Sequence, residues 1–278
     1  MLRRLLKYDM QYNWRLWRII APVALLMALG AGGSFRMIRL ASSGDTFILN
    51  ALGWFGLLFS VLAVIAFYGL GCLMPHYRFF KNLFTDEGYL SFTLPVSRAK
   101  LLASKTLNTV IWSILSTVVL AFCFLAMLLI WDVEVFVSAF SWVGGALVFA
   151  WEICGVWTVV YALLLILALL ANLWLVIALT QLCITIGAIL AKKHKLFAGL
   201  GMYYLGNMMF SFLFQFVGII GLISAGGAVW ALLENVGQNE MHFFFFLVLF
   251  LFLIIPLSTA ALVHFVTLGR LERQLNLA

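Results

Sequence analysis

Apolar residues along this chain come in long unbroken runs. They do not alternate as on a half-buried strand, and few of them form the one-sided stripe of a soluble helix. Runs of this length and purity predict membrane-crossing helices. The first is placed at 19–35, with Pro22 in its opening turn, where a missing amide proton does little harm. The others fall at 47–74, 106–131, 161–191, 197–223 and 243–268. Pro75 is expected to end the second, and Pro256 to kink the sixth. The prediction is an all-α polytopic membrane protein, one domain over 1–278, with six transmembrane helices.

Two segments break the pattern at the start and in the middle. Residues 1–18 read as an amphipathic interfacial helix: Leu2, Leu5, Leu6, Met10, Trp14 and Trp17 recur at helical spacing, and Arg3, Arg4, Lys7, Arg15 and Arg18 supply charge. A secretory signal is rejected, because the basic region is long and further spans follow. Residues 132–160 are apolar but irregular, with Gly144, Gly145, Glu152 and Gly155. They are expected along or dipping into the outer face. In the second span, Gly53, Gly56 and Ser60 make a stripe suited to close helix contact.

The longest polar interruption lies within 75–105, in the stretch TDEGYLSFTLPVSRAKLLASK that starts at Thr85. Thr85 is placed to cap a short helix, with Asp86 and Glu87 at its positive end. Pro95 disfavours helical geometry at Leu94, and Ser97 is placed to cap a new helix through Leu101 and Leu102. A compact knuckle at the membrane face is the expectation. Its acidic-Gly turn, Leu-Pro step, small-basic pair and Ser-Lys pair, between two spans, resemble the first cytoplasmic loop of type-2 ABC exporter permeases. That resemblance covers about a tenth of the chain closely and implies a coupling helix that docks on a separate ATP-hydrolysing subunit. The contact residues it implies are Asp86, Glu87, Gly88, Tyr89, Leu90, Pro95, Ser97 and Arg98. It further implies a second permease copy or a similar permease, and ATP with Mg bound only by the partner ATPase. Residues 1–18 fit the elbow helix with which such permeases often begin. The substrates of such exporters range over lipids, hydrophobic drugs and amphipathic peptides.

Composition agrees with a membrane protein: 65% of residues are hydrophobic and 10% are charged. The net charge of +7 does not point to nucleic acid, because the bases sit in short patches beside apolar runs, as anchors for anionic lipid do. The topology above puts 15 of the 17 Lys and Arg inside, and leaves only Arg36 and Arg39 outside. That asymmetry predicts a multi-pass protein of the cell membrane with both termini cytoplasmic. The four cysteines and four histidines are scattered, so neither a metal site nor a disulfide is expected.

No phosphate-binding loop, zinc-protease helix or nucleophile elbow occurs, so an enzyme is not expected and this chain should hold no cofactor. The spans contain almost no ionisable residue, which argues against an ion-coupled carrier. Asn207, Ser211 and Gln215 fall four apart, and Asn172, Gln181 and Thr185 follow a similar course in the preceding span. These side chains could line a translocation path, or equally hydrogen-bond between helices. The alternative function is a membrane scaffold or sensor that docks a cytoplasmic partner without transport. ATP-driven uptake by vesicles separates the two.

Overall fold

The computed structural model describes residues 2–42, 47–85, 87–88, 93, 95–191, 197–199, 201–206, 208 and 238–274. Six helices account for nearly all of them: α1 (Leu2–Ser42), α2 (Phe47–Phe84), α3 (Arg98–Trp131), α4 (Val133–Cys154), α5 (Trp157–Leu190) and α6 (Gln238–Gln274). All six are long and apolar enough to cross a membrane, and no strand occurs among the described residues. The protein is all-α and compatible with a multi-pass membrane protein. Contacts divide it into two compact units, residues 1–79 with 100–149, and residues 80–99 with 150–278.

The first unit is built on α1, α2 and α3, and its side-chain pairs fix their directions. Along the α1–α2 seam, a Cβ on Gly53 would meet Ile38, one on Gly56 would meet Ser34, and one on Gly30 would meet Ser60. The two numbers in each pair add to about 90, so α1 and α2 run antiparallel in constant register. The expected small-residue stripe is thus the contact surface. A Cβ at Gly53 would stand 2.6 Å from Ile38 Cγ1 and 3.2 Å from the Ser34 carbonyl oxygen, so only glycine fits.

Along the α1–α3 seam the pairs are Asp9 with Lys105, Trp17 with Trp112, Phe35 with Trp131 and Arg39 with Asp132. Here the difference in number stays near 95, so α1 and α3 run parallel. Thirty residues separate Asp9 from Arg39, about 45 Å of helix at 1.5 Å per residue. A bilayer with its headgroups is roughly 40–45 Å thick. The separation of the two ion pairs along α1 thus matches the thickness of one bilayer with its headgroups. Arg39, which looks misplaced on the outer side in the sequence, is neutralised by Asp132.

Several expectations change. Residues 1–18 do not form a separate interfacial helix, because α1 is one continuous helix of 41 residues that runs through Pro22. Pro75 does not end α2, which continues to Phe84. The lost amide hydrogen bond is outweighed by packing beyond the proline, where Phe79 and Leu83 are fully buried. The irregular segment 132–160 is a regular 22-residue helix, α4, with no buried residue. Gly155 (φ 54°) turns the chain from α4 into α5, its N–H donating to the Trp151 carbonyl at 2.8 Å in the left-handed cap that glycine favours. The span expected at 197–223 is described only at its start, where the residues are helical.

In the second unit α5 packs against α6. Tyr161 meets His242 and Phe245, and Trp174 meets His264, so these two helices also run parallel. The Tyr161 hydroxyl is 3.0 Å from both His242 Nδ1 and the His242 carbonyl oxygen, and Trp157 stacks on the same imidazole. Ala168, Ala171, Ala178, Thr185 and Ala188 form the buried face of α5.

Candidate coupling site

The knuckle between α2 and α3 starts where α2 runs out of hydrogen-bond donors for its last carbonyls. Thr85 Oγ1 donates to the Lys81 carbonyl at 2.5 Å, closing α2 behind it where a forward N-cap was expected. Gly88 N–H donates to the Thr85 carbonyl at 2.7 Å, which folds the turn back on itself. A Cβ on Gly88 would stand 2.7 Å from the Leu83 carbonyl oxygen, so this reversal requires glycine. Glu87 crosses the turn to Lys81, 2.8 Å away, with both side chains about two-fifths exposed. An exposed pair of this kind contributes roughly 0.2–1 kcal/mol, so it biases the turn without locking it.

Of the expected contact residues, Glu87, Gly88, Pro95, Ser97 and Arg98 are described, while Asp86, Tyr89, Leu90 and Leu94 lie outside the described residues. Pro95 and Ser97 are exposed, and α3 starts at Arg98 just after Ser97, as predicted. Arg98 is used within the chain. Its Nη1 donates to the carbonyls of Leu271 and Glu272 at 2.9 and 2.8 Å. Those carbonyls belong to the last turn of α6, where no intrahelical donor remains and a cation is favoured by the dipole. Arg98 is therefore a clasp on the end of α6, a role that its place in the sequence did not disclose.

Chain on either side of the knuckle is anchored on one acid. Lys105 Nζ lies 2.7 Å from each carboxylate oxygen of Asp9, and Arg78 Nε lies 3.5 Å from Oδ1. Asp9 and Lys105 are 3% and 6% exposed. The Arg78 guanidinium also covers the Tyr12 ring at 3.7 Å, which gives the second cation of this cluster a face to rest on. Asp9 is on α1, Arg78 near the end of α2 and Lys105 near the start of α3. The three helices meet at one buried carboxylate. Asp9 was passed over in the sequence; the signal available was that it is the sole acid before Asp45.

One turn deeper in the same seam, polar capacity goes unused. Asn13, Asn108 and Trp112 are each 1% exposed, and Asn13 Oδ1 and Nδ2, Asn108 Oδ1 and Trp112 Nε1 have no hydrogen-bond partner among the described residues. Trp17 and Trp14 pack on Trp112, with ring centroids at 5.4 and 6.5 Å. A cleft in this unit is bordered by Trp17, Ala24, Phe67, Tyr68, Ser116 and Cys123.

Of the expected path-lining residues, Asn172 and Gln181 are described. Asn172 donates back to the Ala168 carbonyl of its own helix at 3.0 Å. Gln181 is 1% exposed, and its backbone carbonyl accepts from Thr185 Oγ1 at 2.7 Å. Asn207, Ser211 and Gln215 lie outside the described residues. Among the described residues no group of three His, Cys, Asp or Glu could hold a metal ion. Comparison with protein-family models, curated proteins and solved structures gives no match to this chain.

Proposed function

We propose that this chain is the permease subunit of an ABC exporter, embedded in the cell membrane with both termini cytoplasmic. It works as a dimer, with itself or a similar permease, above two copies of a separate ATPase. The observation that carries this reading is the shared anchorage of the knuckle's flanks. A load applied to residues 85–97 passes into α2 through Arg78 and into α3 through Lys105, and both cations hold the same Asp9 of α1. A loop tethered in this way transmits displacement into three helices together, where a slack loop would absorb it.

Affinity purification of the tagged chain from its native membrane tests the proposal. Recovery of an ATPase of the phosphate-loop type is the expected result, with hydrolysis by the complex reduced by Glu87→Ala. Arg98 is a poorer probe, because its substitution also frees the end of α6. Recovery of no ATPase, together with ATP-independent behaviour of reconstituted vesicles, removes the transporter reading and leaves a docking scaffold.

A further inference from the structure

The first eighteen residues hold five bases, and the structure sorts them from the one acid among them. At 100° per residue, Arg3, Arg4, Lys7, Arg15 and Arg18 fall within an arc of about 120° on α1. All five are exposed. Asp9 projects from the opposite side, is 3% exposed, and is held by Lys105 and Arg78. The outward arc is therefore five positive charges with no counter-ion among the described residues. A composition count would have set Asp9 against them.

The stripe runs along α1 from about 9 Å before Asp9 to about 13 Å past it, and the Asp9–Arg39 separation equals a bilayer thickness, so a membrane-spanning α1 sets the stripe at the inner headgroup layer. Arg15 and Arg18 project back toward the N-terminus, as helical side chains do, which brings their guanidinium groups down to phosphate level. Tyr8 borders the stripe and Trp14 lies within it, 69% and 54% exposed, the amphipathic aromatics expected near a headgroup layer.

We infer that this stripe is a binding surface for anionic phospholipid headgroups of the inner leaflet, and that it fixes the height of α1 in the bilayer. The full-length protein in nanodiscs of equal phosphatidylglycerol and phosphatidylcholine provides the test, with bound lipid counted by native mass spectrometry. Wild type should retain phosphatidylglycerol several-fold above its bulk share. The R15Q/R18Q variant keeps three bases to preserve orientation, and should lose roughly two- to five-fold in that preference per base removed. R3Q/R4Q/K7Q should lose it to a similar or smaller extent, and added salt should weaken the preference in wild type. Equal enrichment in wild type and both variants overturns the inference. So does competition by inorganic phosphate at equal charge concentration, which marks a free-anion site. Neither outcome depends on whether an ATPase partner exists.

Discussion

Lys105 Nζ is equidistant, at 2.7 Å, from the two carboxylate oxygens of Asp9, and both residues are buried. A buried pair adds little net stability compared with an apolar pair of the same shape, because both charges have left water. Losing one partner is different, since it strands the other charge. Asp9→Ala should therefore destabilise the purified protein by about 3–5 kcal/mol, and Lys105→Ala by a similar amount. Asp9→Leu with Lys105→Met should recover much of the loss. Thermal unfolding in a single detergent, run as a double-mutant cycle, checks this. If the single and double variants melt together, the pair is not a structural anchor.

The outer pair should behave in the opposite way. Arg39 is exposed, and its guanidinium, hydrogen-bonded to Asp132, holds that carboxyl below the usual carboxylate range, with help from the backbone N–H of Glu134. A carboxylate with a lowered folded-state pKa stabilises the fold above its unfolded pKa, near 3.9, and loses that contribution as pH falls through the folded value. Asp132→Asn should flatten the acid limb of the stability profile below about pH 4, and should have a small effect at neutral pH and high salt. Stability against pH for wild type and variant, at two salt concentrations, reads this directly.

Gly88 is the position where the knuckle tolerates least. Gly88→Ala drives a methyl group against the Leu83 carbonyl, a backbone atom that cannot rotate away. The turn must open, at roughly 1–3 kcal/mol. That loss is local, so membrane insertion and the yield of folded protein should be retained while, under the proposed function, ATP hydrolysis by the partner ATPase falls. Limited proteolysis should show earlier cleavage near residue 88 in the variant. An unchanged cleavage pattern with unchanged hydrolysis would mean that the turn is not part of the docking surface.

What the sequence disclosed follows the physics that is local to it. Five of the six long apolar helices, the start of α3 after Ser97, and the close-contact role of Gly53, Gly56 and Ser60 were readable, because run length, capping and small-residue spacing are short-range signals; α4 was not, because its glycines and Glu152 read as an irregular segment. Pro75 misled because its cost is local while the burial of Phe79 and Leu83 that outweighs it is tertiary. Asp9 with Lys105, Arg39 with Asp132, and Arg98 with the end of α6 join residues 93 to 174 positions apart, and no pattern within one helix points to them. Asn172 read equally as lining or as a hydrogen-bonding group, because sequence shows polarity at depth but not that its amide meets the Ala168 carbonyl.

The direction of α4 is the remaining structural question with a decisive experiment. Its 22 residues, about 33 Å of helix, suffice to cross the hydrocarbon. A crossing, however, would carry α5 in the reverse sense and leave Lys192, Lys193 and Lys195 on the outer side. Three bases in one short segment oppose that orientation strongly. An α4 that lies along the outer face avoids the conflict. Glu134→Cys and Val156→Cys, each exposed, can be made in a background lacking the four native cysteines. In intact cells both should react with a membrane-impermeant maleimide added outside. If Glu134→Cys labels and Val156→Cys labels only after permeabilisation, α4 is a full crossing and the positive-inside assignment of everything beyond it must be reversed.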